Sequence, residues 1–237
     1  MRTTASVLAL ILAMTGIAAA QELSDYISVK DGFKITFPAE PKITETTWTS
    51  QQNFVLPARI YSLEKGRERY SVTVVDYNGI EAMGIEKVKS CPPGAPLCRG
   101  TDIGGAGLWK HDVREAINYA TFKLLQRDAK LTDLTWSQHD LVEGNDIQLL
   151  NADQSRTYAV VAMHEMKLYI VEATVPRNSP PGTLFQTSLG WVDKNGKGIR
   201  YQTVYSNQFH GMKQYPPPPL VGAAGAGRGR GAGPDAQ

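Results

Sequence analysis

Four histidines, two cysteines and one glycine run are the residues of this 237-residue sequence whose types and spacing bear on chemistry. His111 and Glu115 stand four apart, the spacing at which two helical side chains share a face and can grip a metal ion. A metal site needs a third ligand, and none falls in register, so the pair reads as a surface helix pair. His139-Asp140 and His164-Glu165 are sequence neighbours on strands or turns. Adjacent strand residues point to opposite faces, so neither pair is a proton relay by itself. The fourth, His210, has no such neighbour. Gly104-Gly105-Ala106-Gly107, followed by Lys110 and His111, resembles an anion-holding turn at a helix start. The segment before it, Cys98-Arg99-Gly100-Thr101-Asp102, is no buried strand, so the dinucleotide pattern lacks its context and a hinge is expected. No G-x-S-x-G, H-E-x-x-H or Walker loop occurs, and Asp and Glu are scattered singly. The expectation is therefore no catalytic residue set, no metal ligands and no cofactor.

Cys91 and Cys98 bracket Pro92-Pro93-Gly94-Ala95-Pro96-Leu97. The interval is too wide for a C-x-x-C redox motif, and no second pair completes a zinc site. In an oxidising compartment the natural reading is a disulfide. So short a loop gains only about 2.5 kcal/mol from the bridge, which makes it a local staple.

That compartment is indicated by the first twenty residues. Arg2 precedes the apolar run Val7 to Met14, then come Gly16 and the small-residue stretch Ala18-Ala19-Ala20. This is the three-part pattern of a secretory signal peptide, with cleavage between Ala20 and Gln21. The apolar run is about half the length needed to cross a bilayer, and no later segment is longer. The mature chain is thus expected to be periplasmic or secreted, without a membrane span.

Composition places the remainder among ordinary globular chains, with 42% hydrophobic and 20% charged residues. Lys plus Arg number 25 against 23 Asp plus Glu. So even a balance supplies no field for nucleic acid. The expected organisation is a signal peptide over 1–20, one globular domain over 21–215 and a disordered Pro/Gly/Ala/Arg tail over 216–237.

The elements follow from hydrophobic period. Phe33-Lys34-Ile35-Thr36-Phe37 alternates apolar and polar and stops at Pro38. Ile43 to Trp48, Val55 to Leu63 and Tyr70 to Tyr77 continue it as an antiparallel meander, with a hairpin at Lys65-Gly66-Arg67. Gly79 to Gly107 reads as a long irregular connection. From Trp109 to about Ala129, apolar residues at Val113, Ala116, Ile117, Ala120 and Leu124 mark one long amphipathic helix. Strands are expected at Leu134 to Leu141, Ile147 to Asn151, Thr157 to Met163 and Leu168 to Val175, with turns at Gly144-Asn145-Asp146 and Asp153-Gln154-Ser155. Ser179, Pro180 and Gly190 read as the cap, first position and end of a short helix. Asn195-Gly196 joins Trp191-Val192 to Ile199 through Tyr205 as a hairpin. The four tryptophans and ten tyrosines read mainly as core and strand surface, with a ligand groove as the other use for them.

The fold class is therefore α+β, an antiparallel sheet with one long and one short helix packed on it. The order of elements from Tyr26 to about Tyr205, opened by Asp31-Gly32-Phe33-Lys34-Ile35-Thr36-Phe37-Pro38-Ala39-Glu40-Pro41, resembles exported bacterial domains of the PsbP-like sandwich family. That resemblance implies a binding or assembly role, as in the photosystem II extrinsic subunit, rather than catalysis. The function expected is an exported, non-enzymatic domain that binds a protein or small ligand. Two other classes stay open: a hydrolase whose site is assembled from distant residues, and a cell-envelope structural protein.

The intact mass of the exported protein is expected to correspond to a chain starting at Gln21 and to be lighter by two hydrogens than after reduction. A mass that retains Met1 would overturn the cleavage assignment, and one unchanged by reduction would overturn the Cys91–Cys98 bridge.

Overall fold

The computed structural model describes residues 24–90 and 108–207. Ten strands and three helices follow one another along it. They begin with β1 (Ser24–Ser28), β2 (Phe33–Phe37), β3 (Lys42–Thr49), β4 (Val55–Lys65) and β5 (Glu68–Asp76), then α1 (Ile80–Lys89) and α2 (Leu108–Leu125). They end with β6 (Ala129–His139), β7 (Val142–Asn151), β8 (Arg156–His164), β9 (Lys167–Val175), α3 (Thr183–Thr187) and β10 (Gly190–Trp191). This is an α+β protein.

Seven strands form one antiparallel sheet in the order β3-β4-β5-β9-β8-β7-β6. Two meanders, β3 to β5 and β6 to β9, are joined through the β5–β9 pairing, where Val72 lies opposite Val171. Because both faces of this sheet are covered, its central strands are apolar on both sides. In β8, Ala159, Val161 and Met163 face a core shared with Val113, Ala116, Ala120 and Leu124 of α2. Val160 and Ala162 face the other core, with Phe33, Ile35, Phe185 and Trp191. That second layer is a three-stranded sheet, β1-β2-β10, together with α3. The helix stripe is as the sequence spacing predicts: Val113, Ala120 and Leu124 are buried, Ile117 packs at the margin, and Arg114, Asn118 and Lys123 are exposed.

Several boundaries differ from the sequence reading. β2 does not join the meander; it pairs with β1 and β10 in the separate small sheet. Residues 80–89 form α1, where irregular chain was expected. Gly84 interrupts its apolar pattern but lies against Trp109, where a Cβ would come within 3.0 Å of the indole. α2 stops at Leu125, because Arg127 turns away to pair with Glu172 of β9 and Ala129 already pairs with Asn151. The β6–β7 turn falls at Asp140-Leu141, both at positive φ as in a two-residue hairpin. Gly144 instead lies within β7, where a side chain would meet the Val161 carbonyl oxygen at 2.5 Å. Ser179 caps nothing: α3 begins at Thr183 after Gly182. Gly190 belongs to β10, held against β2 through Lys34. The Asn195-Gly196 turn is present, with Gly196 at φ 78° and the Ile199 amide donating to Trp191 at 2.9 Å. Beyond it no second strand forms: an isolated antiparallel bridge joins Val192 to Gly198 across the turn, and a parallel one joins Tyr205 to Val142.

Gly144→Ala is expected to lower stability by about 2 kcal/mol, because backbone cannot yield as a side chain can. Gly198→Ala, with nothing within 4 Å of its new methyl, should stay within about 0.5 kcal/mol of the parent in chemical denaturation. Equal midpoints for the two would overturn the register.

Candidate functional site

The β1–β2 turn carries the most elaborate polar cluster of the described residues. Gly32 takes φ 72° to close the turn, its amide donating to the Ser28 carbonyl at 2.8 Å. The turn drives Asp31 under the seven-stranded sheet, where it is 4% exposed. Burying a lone carboxylate is prohibitive, so it must find partners. Arg59 of β4 pairs with it, the Tyr61 hydroxyl donates to it at 2.6 Å, and the Lys167 ammonium stands 3.3 Å away. Tyr169 donates to the Asp31 carbonyl at 2.5 Å, and the Ser28 hydroxyl lies 2.8 Å from that of Tyr61. Burial by itself would raise the Asp31 pKa. Hydrogen bonds from Arg59 and Tyr61 and the Lys167 charge outweigh it, so the carboxyl titrates below its ordinary value. Tyr61 responds in the opposite sense, pushed up to about 12 by burial and by its bond to Asp31.

Beside this cluster opens a cleft of about 430 Å3 lined by Asp31, Gly32, His164, Lys167, Tyr169 and Val192, among others. His164, at the end of β8, is 1% exposed and stacks on Trp191 with ring centres 4.5 Å apart. Its Nε2 lies 2.5 Å from the Tyr201 hydroxyl. Burial, helped by the Lys167 charge, pulls its pKa down to about 4, so the ring is neutral at physiological pH.

These groups are not arranged as a nucleophile with its base. A nucleophilic relay needs a base bonded to a hydroxyl or thiol that can attack. His164 is bonded to a phenol, Asp31 is saturated by cations and donors, and the second buried histidine, His139, is bonded to Asp146 at 2.8 Å. As the alternation of strand side chains implies, neither histidine uses its sequence neighbour: His164 is bonded to Tyr201 and His139 to Asp146. His111 and Glu115 lie on α2, and among the described residues no three His, Cys, Asp or Glu side chains converge to hold a metal ion. Cys91, Cys98, Ala20, Gln21, Gly104 to Gly107, His210 and the tail fall outside the described residues. Of the tryptophans, Trp109 and Trp191 are core, Trp48 packs edge-on against Tyr119, and Trp136 is 58% exposed. Sequence reading missed Asp31, Arg59 and Lys167. The one available signal was Arg59, a charge in a β4 stretch whose neighbours Ala58 and Tyr61 are buried.

With the geometry in place, the class is an antiparallel α+β sandwich whose central sheet is covered on both faces. No family model and no curated protein matches the chain. Among solved structures it is similar to cyanobacterial PsbP (CyanoP) from Synechocystis sp. PCC 6803, at 19% identity over 76% of this chain and 98% of that one, with a TM-score of 0.38.

Because His164 is neutral when folded, the unfolded chain binds a proton first as pH falls. Stability is expected to be full above about pH 6.5 and to drop by up to about 3 kcal/mol as pH falls toward 4. Asp31 acts in a lower window: its lowered pKa contributes stability above its unfolded value, and that is lost as pH falls through the folded one. Denaturation midpoints measured across pH should lose the upper drop in His164→Gln; an unchanged profile in that variant would show that another group is responsible.

Proposed function

We propose that the chain is an exported, non-enzymatic domain that assembles with a protein partner. The observation that carries this reading is the open face of edge strand β6. Leu131, Leu134 and Trp136 lie opposite Leu149, Ile147 and Asn145 of β7 and so point to the side on which α2 packs. An irregularity between Leu131 and Asp133 admits one extra residue. Without it, the period of two would send Leu134 and Trp136 to the other face from Leu131. The three are 42%, 46% and 58% exposed, a contiguous apolar stripe of the kind that marks interaction surfaces.

Geometry favours a helical occupant. α2 lies over β7, β8 and β9. β6 is two strand spacings, about 10 Å, from β8, and helices pack about 8–10 Å apart. A helix laid beside α2 at the ordinary distance therefore sits over β6. The bulge disrupts the ladder edge, which disfavours an added strand. The partner presents an amphipathic helix whose apolar side meets Trp136 and Leu134. Export is supported by the residue pattern over 1–20 and by the two cysteines. A hydrolase is disfavoured by the saturation of Asp31 and the bonding of both buried histidines.

A photoreactive amino acid at position 136 is expected to crosslink to a protein partner in cells that export the chain, whereas one at position 43, on the opposite edge strand, should not. Leu134→Glu with Trp136→Glu should abolish co-purification of that partner while leaving the melting temperature nearly unchanged, since both side chains are exposed. Equal crosslinking at 43 and 136, or none at 136, would overturn the reading.

A further inference from the structure

The end of the sheet remote from Asp31 carries a polar groove. Two adjoining cavities of about 560 and 510 Å3 share Arg69, Asp153, Ser155 and Thr174. Arg67 and Arg69 come from the β4–β5 hairpin and Arg177 from the chain leaving β9, and all three line the outer cavity. Their guanidinium groups form no ion pair among the described residues. Two carboxylates stand among them, Glu64 and Asp153, the latter accepting from the Ser155 amide at 3.0 Å and hydroxyl at 2.6 Å and feeling the charges of Arg67 and Arg69, so three guanidinium groups against two carboxylates leave the outer cavity net positive. The fourth arginine, Arg127, is held by Glu172 in the inner cavity.

The two halves differ in chemistry. The inner floor is a row of hydroxyl and amide groups: Asn151 donates to Ser155 and Thr157 at 2.9 Å each, and Thr157 lies 2.8 Å from Thr174. Beside it α2 ends, and the carbonyl end of a helix repels negative charge. An anion would therefore sit in the outer half, where arginine forks match carboxylate or phosphate oxygens. The inner half suits neutral hydroxyls. No large apolar or aromatic side chain lines either cavity, which argues against a lipid tail or a stacked base.

We infer that this groove binds an acidic sugar, a polyhydroxylated unit bearing one carboxylate or phosphate, with the charge on Arg67, Arg69 and Arg177 and the hydroxyls toward Ser155, Thr157 and Thr174. The arginine half of the site lies at the strand end defined by the Arg69–Thr174 pair, away from Leu134 and Trp136 of the proposed partner face, while the inner half adjoins the start of β6, where Asn151 pairs with Ala129.

Titration calorimetry on the full mature chain tests it with four probes: trigalacturonate, glucose 6-phosphate, glucose and inorganic phosphate. At least one of the two acidic sugars should bind ten-fold or more tightly than both glucose and inorganic phosphate, and whichever binds identifies carboxylate or phosphate as the anchor. Arg69→Ala with Arg177→Ala should weaken that binding at least ten-fold at unchanged melting temperature, and Thr174→Val should weaken it without changing the dependence on salt. Inorganic phosphate binding as tightly as the sugars would show mere charge attraction and overturn the inference, as would no binding of either acidic sugar at millimolar concentration, or binding that survives the double arginine variant.

Discussion

One buried carboxylate, Asp31, constrains the way the two sheets meet. A charge with so little solvent would lose far more in hydration than the fold can spare unless cations and donors replace the water. Its partners come from β4 and β9, the strands on either side of β5, while Asp31 itself sits on the turn of the small sheet. The small sheet can therefore dock in only one register that satisfies the charge. Apolar packing of Phe33, Ile35 and Trp191 supplies the adhesion, and the ionic cluster supplies the uniqueness. The double hydrogen bonding of Tyr61 and the reach of Tyr169 to the Asp31 backbone extend the same constraint into the aromatic layer beneath.

That docking leaves the molecule with unequal surfaces. The central strands are covered on one face by the small sheet and α3 and on the other by α1 and α2, and the edge strands β3 and β6 are left exposed. The end near Asp31 is dense with satisfied polar groups and a neutral histidine, while the opposite end is a hydroxylated groove with unpaired arginines. Among the described residues, the buried groups Asp31, His139 and His164 are each held by hydrogen-bonded partners.

The strands whose residues alternate were visible in the sequence, because the pleat imposes a period of two wherever one face is buried. The α2 stripe was visible for the corresponding helical reason. α1 was hidden because Gly84, a helix-weakening residue in isolation, is favoured by its contact with Trp109. The Gly144-Asn145-Asp146 turn was misplaced because glycine answers two needs, positive φ and close approach, and only the position of β8 shows which applies. The separation of β2 from the meander was equally illegible, since pairing partners are chosen across the fold.

The sequence by itself determined the α+β class, the helix face turned to the sheet and the scarcity of reactive motifs, all of which depend on residue type and local spacing. Only the tertiary structure decided that Asp31 meets Arg59 and Lys167, 28 and 136 residues away, that His164 bonds Tyr201, and that three arginines share a groove. Those encounters are produced by strand order and register. Register is set by the burial of whole apolar faces, a sum over many residues that no single motif encodes.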